Sequence, residues 1–145
     1  MEIVNINFIS YGSIIACSFT LIAGVYLITL HEKSKATLNL SLAFLFISLL
    51  SASYIYTFSV YHYSGAYHRW LSVASVLPGI MYMSQFFFYF PEERCIKTAR
   101  WLLRIQWAVV IAVTAFWINH TRDMKTLVFR PDGQNWDFND TSAQI

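Results

Sequence analysis

Residues 38–61 read LNLSLAFLFISLLSASYIYTFSVY, and this uncharged, apolar stretch decides the fold. Asp, Glu, Lys and Arg are absent from the whole of residues 36–68. A helix that crosses a bilayer needs about 20 mostly apolar residues at about 1.5 Å per residue. Buried strands would be shorter and broken by turn residues, and the chain has only Gly 5 and Pro 3. The stretch therefore predicts a transmembrane helix.

Three further stretches lack charged residues in the same way. They cover residues 3–31, 70–91 and 105–121. With the first stretch they predict membrane spans at residues 8–30, 38–61, 71–90 and 102–118. The predicted fold class is all-α: a polytopic membrane protein with four transmembrane helices in an antiparallel bundle. Residues 1–120 form this domain, and residues 121–145 form a polar extracytoplasmic tail or loop.

The composition of the 145-residue chain excludes several other classes of protein. Hydrophobic residues make up 57% and charged residues 12%, against roughly 25% charged in a soluble domain. These values exclude disorder, a coiled coil and a soluble globular domain, and Cys 2 excludes a disulfide scaffold. The net charge of +2 is too small for a nucleic-acid binder. The predicted partner is the lipid bilayer.

The distribution of Lys and Arg over the loops predicts the orientation, because these residues favour the cytoplasmic side. The loops after the first and third spans share one side, and their basic residues are Lys33, Lys35, Arg94, Lys97, Arg100 and Arg104. The opposite side carries Arg69, Arg122, Lys125 and Arg130. The sequence therefore predicts a plasma (inner) membrane protein whose N-terminus and C-terminal tail are both extracytoplasmic.

Two glutamines lie within the predicted spans, where polar side chains often mark function. Gln85 is five residues before the end of the third span, and Gln106 is about as far into the fourth. At about 1.5 Å per residue, both lie roughly 7–8 Å inside the same membrane surface. We favour an interhelical amide hydrogen bond over a ligand or ion contact, because polar side chains commonly join neighbouring membrane helices.

The third span also contains Pro78-Gly79 near its middle. Proline removes one helical hydrogen bond, so we expect a kink there. A kink can open a pocket or shape helix packing, and packing is the favoured interpretation because both residues are common in membrane helices. The serines of the second span favour a helix–helix contact face. They are Ser41, Ser48, Ser51, Ser53 and Ser59.

The predicted outer loop between the second and third spans is rich in aromatic residues and histidine. Aromatic side chains suit the membrane interface, and we expect the loop to supply an outer contact surface. Its candidate contact residues are His62, Tyr67, His68, Arg69 and Trp70. No carboxylate or cysteine accompanies the histidines at ligand spacing, so no metal or haem site is predicted. No catalytic motif is present either, and we predict neither a cofactor nor an enzyme activity.

Three short segments carry a resemblance to a known group of proteins. They are Gly65-Ala66-Tyr67-His68-Arg69-Trp70, Gln85-Phe86-Phe87-Phe88-Tyr89-Phe90-Pro91 and Asn135-Trp136-Asp137-Phe138. Together they resemble the N-terminal multi-helix membrane region of bacterial signalling proteins. In those proteins the helices precede a cytoplasmic histidine kinase, a SpoIIE-type serine phosphatase or a nucleotide cyclase. The resemblance implies that further helices and an output domain follow Ile145, and it implies no catalytic residue within this chain.

Three functions remain open on the sequence. The leading hypothesis is a membrane-embedded sensor or signal-input module, in which ligand binding shifts a bistable helix packing. The alternative is a small structural subunit of a larger membrane complex, because uncharged spans and aromatic belts would serve that role equally well. Part of a transporter or channel is less favoured, since no charged residue lies deep within a span.

Overall fold

The computed structural model describes residues 6–32, 34–60, 62–92, 95–122, 127–130 and 135–138. Its four α-helices are α1 (Phe8–Thr29), α2 (Lys35–Ser59), α3 (His68–Tyr89) and α4 (Ile96–Arg122). Each helix is long and apolar enough to cross a membrane. The prediction of an all-α membrane fold with four transmembrane helices is confirmed.

The helices extend beyond several of the predicted spans. Helix α2 begins at Lys35, because the Ser34 hydroxyl accepts a hydrogen bond from the Thr37 backbone N–H at 3.0 Å. Helix α4 runs from Ile96 to Arg122, whereas the apolar pattern alone predicts residues 102–118. The charged residues at its ends are compatible with a helix, so the charge pattern marks the bilayer boundary and not the end of the helix.

The helices pack in chain order. Helix α1 packs on α2, α2 on α3 and α3 on α4, and among the described residues no packing joins α1 to α4. Between α1 and α2, Ser59 donates to Ser10 at 3.0 Å, and Ser41 donates to the Gly24 carbonyl at 2.7 Å. Late residues of α2 therefore meet early residues of α1, so the two helices run in opposite directions. Helices α1 and α4 form the two edges of the row.

Among the described residues, most buried side chains are small or polar, and many large apolar side chains are exposed. The buried hydrophobic side chains of the described residues are Ala36, Ala43, Ala66, Met81, Ala99 and Val110. Phe8 is 92% exposed and Ile15 is 70% exposed. This distribution is the reverse of a soluble core, and it suits lipid, where small residues let helices approach closely and apolar side chains face the acyl chains.

A 3-10 helix and a β-hairpin lie at one end of the helices, which we call the cap end. The 3-10 helix covers Tyr63–Tyr67. Strand β1 (Leu127–Arg130) pairs antiparallel with β2 (Asn135–Phe138), and β2 lies against the 3-10 helix. The opposite end, where α4 begins, is the basic end. The hairpin is absent from the sequence prediction, although a Pro-Asp-Gly turn signal stands between two segments rich in aromatic and branched residues.

Candidate functional site

Helices α3 and α4 are joined toward the basic end by a chain of hydrogen bonds, which we call the amide contact. Gln85 Nε2 donates to Gln106 Oε1 at 2.8 Å, and Gln106 Nε2 donates to the Ser84 hydroxyl at 2.9 Å. Ser84 in turn donates to the Met81 carbonyl. Gln85 is only 1% exposed. The structure thus brings together the two glutamines that helix rise places at matching depth.

The same two helices are joined at the cap end by the indole contact. Trp70 Nε1 donates to Thr121 Oγ1 at 2.7 Å, and Thr121 Oγ1 donates to the Trp117 carbonyl at 2.7 Å. The Tyr67 ring packs edge-on against Trp70 at 4.8 Å between centroids. Trp70 is predicted in the outer loop and lies instead in the first turn of α3, and Thr121 is not predicted as a site residue. The two residues are 51 positions apart, so no local pattern could have paired them.

Between these two contacts lies an apolar cavity of about 430 Å³, which we call the α3–α4 groove. Helices α3 and α4 form its walls, and Phe46 of α2 reaches it from behind. The ring of Tyr82 connects the three helices, because it stacks on Phe46 at 5.8 Å and meets Trp107 edge-on at 6.2 Å. The groove is lined by Phe46, Ala74, Pro78, Trp107, Val110, Ile111, Thr114, Ala115 and Ile118.

Pro78 and Gly79 lie buried in α3, which continues as a helix through both residues. A Cβ atom at Gly79 would lie 3.5 Å from the Phe46 Cβ atom, so this part of α3 packs closely on α2. Pro78 lines the groove and has no backbone N–H, so the Ala74 carbonyl lacks its usual helical donor. The pair is predicted to shape helix packing, and in the structure Gly79 lies at the α2 contact while Pro78 lines the groove.

Thr114 gives the otherwise apolar groove a polar atom. A threonine within a helix commonly donates to the carbonyl four residues earlier, as Thr20 and Thr121 do here. The Thr114 Oγ1 atom is buried and forms no hydrogen bond with any described residue. The same holds for Trp117 Nε1, one turn further along α4. A buried hydroxyl without a partner is costly, so such atoms call for an explanation.

The remaining residues of the predicted outer contact surface are divided between solvent and interior. His62 and Tyr67 are exposed, whereas His68 is buried. The His62 ring accepts a hydrogen bond from the Ser64 backbone N–H at 3.2 Å and so caps the 3-10 helix. His68 Nδ1 lies 2.8 Å from the Gly65 carbonyl, which can only accept, so Nδ1 carries the proton. Arg69 is half-buried. The five residues form part of a structured cap.

Comparison with protein-family models, curated proteins and solved structures gave no match. The chemistry of the site must therefore be argued from its own residues. Across the described residues, no three His, Cys, Asp or Glu side chains lie together in a way that could hold a metal ion. The α3–α4 groove presents apolar surface, and its lining residues include Thr114, whose hydroxyl is buried and unpaired, and Pro78, which interrupts the helical hydrogen bonds. This combination can bind an uncharged amphiphilic molecule.

Proposed function

We propose that this chain is the sensor or signal-input module of a bacterial signalling protein, and that it binds an apolar ligand in the α3–α4 groove. The observation that carries the proposal is the unpaired Thr114 hydroxyl in an apolar cavity. A ligand with one hydroxyl or carbonyl group would supply the missing partner. We place the module in the plasma membrane, with its N-terminus and C-terminal tail extracytoplasmic.

The size and lining of the groove support a small lipid-like ligand. Its volume of about 430 Å³ lies within the roughly 300–1,000 Å³ of small-molecule sites. The lining carries no charged side chain, so a charged ligand would lose its hydration without gaining a counter-ion. Ile111 is 62% exposed at the mouth, which faces the surroundings of the helices. An apolar molecule could therefore enter sideways from the bilayer.

The way in which α4 is held supports a signalling role. Hydrogen bonds join α4 to α3 at both ends of the groove, and the space between them is unfilled by side chains. A ligand that fits one separation of the helices better than another shifts the equilibrium between them. Such a shift would pass along α4 toward further helices and a cytoplasmic output domain in the full-length chain.

Photo-crosslinking with a diazirine-bearing long-chain alcohol tests the proposed ligand site. The matched variants are Ala115→Phe, which fills the groove, and Ala108→Phe, an exposed alanine of the same helix outside the groove lining. We expect saturable labelling of groove peptides that unlabelled alcohol displaces. Ala115→Phe should abolish it and Ala108→Phe should not. Labelling that is equal in both variants, or that cannot be displaced, would mean ordinary lipid contact and would contradict the proposal.

The orientation can be tested with Cys95, which is exposed at the basic end just before α4. Cys17 lies within α1 and is only partly accessible, so a Cys17→Ser variant isolates the Cys95 signal. A membrane-impermeant maleimide should leave Cys95 unmodified in intact cells and modify it after permeabilisation. Labelling in intact cells would place Cys95 on the outer side of the membrane and would contradict the proposed orientation.

A structural subunit is the second candidate, and the edge position of α4 favours it. This helix packs on α3 alone among the described helices, and Phe116 on it is 69% exposed. A helix of a partner subunit could cover that edge and fill the groove. Purification in mild detergent separates the candidates: a subunit should co-purify with stoichiometric partners. The size of the native gene product adds a second criterion, because an output domain requires a mass far above 16.8 kDa.

A further inference from the structure

The first turns of α4 carry a cluster of basic residues around one tryptophan, far from the Thr114 end of the groove. Lys97, Arg100 and Arg104 follow each other at spacings of three and four residues, and Trp101 lies between them. Residues at such spacings share one face of a helix. All four are exposed, and together they line a shallow concavity with a volume of about 370 Å³. We call this surface the basic cluster.

The surface formed by the basic cluster carries positive charge and no negative charge. Its lining residues are Lys97, Arg100, Trp101 and Arg104, and none of them is a carboxylate. Lys35 at the same end differs, since its ammonium group lies 5.5 Å from the centre of the Tyr89 ring. Like charges three or four residues apart on one helix face repel each other, so an anion held between them would relieve that repulsion.

The position of the basic cluster points to a membrane phosphate. Lys97 and Arg104 are seven residues apart, or about 10.5 Å along the helix, and Gln106 follows within the apolar span. The cluster therefore crosses the interface between water and hydrocarbon. Trp101 is 63% exposed there, as expected for an interfacial anchor. Long basic side chains extend from such positions to the headgroups.

We propose that Lys97, Arg100 and Arg104 bind the phosphate of an anionic phospholipid, with Trp101 packed against its glycerol and upper acyl region. Guanidinium groups suit this ligand because they bind phosphate oxygens in pairs. A soluble phosphate would use the three charges but not the exposed indole, so the tryptophan favours a lipid. The site is separate from the α3–α4 groove, and the inference does not rest on the proposed sensor function.

Native mass spectrometry of the full chain in detergent, with added phosphatidylglycerol or phosphatidylcholine, tests the site. The test variant is Arg100→Gln with Arg104→Gln, and the control is Arg122→Gln at the other end of α4. We expect phosphatidylglycerol to bind preferentially. Each removed charge should weaken it about fivefold, or about 30-fold for the double variant. Arg122→Gln should bind as the unmodified chain does. Arg100→Lys with Arg104→Lys should bind more tightly than the double glutamine variant, because it keeps both charges, and less tightly than the unmodified chain, because lysine does not bind phosphate oxygens in pairs.

Competing outcomes are distinguished by two further comparisons. Equimolar inorganic phosphate should not displace the lipid, and displacement would assign the cluster to free anions and overturn the proposal. Equal binding of the two lipids, or equal losses in the Arg122→Gln control, would also overturn it. Far-UV circular dichroism establishes that the double variant keeps its helices, and the Arg→Lys variant reports on the charges in a folded chain in either case.

Discussion

The α1–α2 contact and the α3–α4 contact differ in how closely their two helices approach each other. At the first, Gly24 lets the helices approach until a Cβ atom there would lie 3.0 Å from the Leu45 side chain. Ser41 donates to the Gly24 carbonyl at the same place. At the second, the described residues of the two helices are joined by the Gln85–Gln106 and Trp70–Thr121 hydrogen bonds, and a cavity of about 430 Å³ lies between these two points.

The difference follows from the size of the residues that meet. Small residues bring two backbones together and leave no room for a ligand, so the α1–α2 contact has one close-packed arrangement. Larger residues such as Trp107 and Ile118 hold α3 and α4 apart between their end contacts. The unfilled groove leaves the α3–α4 contact without the close packing that fixes α1 on α2. We therefore expect the separation of α1 and α2 to stay fixed and the separation of α3 and α4 to change when a ligand binds.

The largest expected effect is the loss of the close α1–α2 approach. In Gly24→Val the new side chain would meet Leu45, including its backbone nitrogen at 3.3 Å from the Cβ atom. We expect the free energy of unfolding in mixed micelles to fall by about 1–3 kcal/mol, because overpacking forces the helices apart. Gly12→Val is the matched control, since nothing lies within 4 Å of its Cβ position. Equal losses would mean that valine acts through helix propensity alone.

The amide contact should give the next largest effect, as a coupling energy. Gln106→Leu leaves the buried Gln85 amide without its partner, and Gln85→Leu leaves Gln106 with only its Ser84 contact, whereas the double variant removes both amides. A double-mutant cycle of unfolding free energies should give a coupling of about 0.6–2 kcal/mol. Additive losses would show that the two amides contribute independently.

The indole contact should contribute less, because it is a single hydrogen bond between uncharged groups. Trp70→Phe keeps an aromatic ring but removes the donor to Thr121. We expect a loss of about 0.5–1.5 kcal/mol in the free energy of unfolding. Trp101→Phe serves as the control, since its indole is 63% exposed, and its effect should stay within about 0.5 kcal/mol. If Trp101→Phe lowered the free energy of unfolding more than Trp70→Phe does, the Trp70–Thr121 hydrogen bond would have no specific stabilising role.

Thr114→Val should have the smallest effect on stability and a distinct effect on binding. Its hydroxyl has no partner among the described residues, so replacing it should change the free energy of unfolding by less than about 0.5 kcal/mol. Affinity for a long-chain alcohol should fall about fivefold, the value of one neutral hydrogen bond. The matching alkane serves as the reference ligand. If both ligands weaken equally, Thr114 makes no hydrogen bond to the alcohol.

The features that the sequence predicts are those that bilayer thickness and helix rise determine. Gaps in the charge pattern identify all four helices, and counting residues places Gln85 and Gln106 at one depth. The ends of α4 are missed, because a helix continues through Lys97 and Arg122 after the hydrocarbon ends. The hairpin is missed because strand segments as short as those of β1 and β2 carry a weak signal beside membrane helices.

The groove could not be predicted from this sequence for a different reason. Its existence depends on how α3 and α4 are rotated and separated, and on which face Thr114 takes. Helix α3 is apolar over most of its circumference, so periodicity does not show which side meets α4. The pairing of Trp70 with Thr121 depends on the same rotation. Such relationships emerge only when the packed helices are in place.

Distances from pulsed electron–electron double resonance test the central claim. The claim is that a ligand changes the separation of α3 and α4 and leaves the separation of α1 and α2 unchanged. Spin labels at the exposed positions Ile80 and Val113 report on α3–α4, and labels at Phe19 and Leu49 report on α1–α2, with both native cysteines replaced by serine. A saturating long-chain alcohol should shift the first distance distribution and leave the second unchanged. An unchanged α3–α4 distance, or an equal shift in both pairs, would contradict the account.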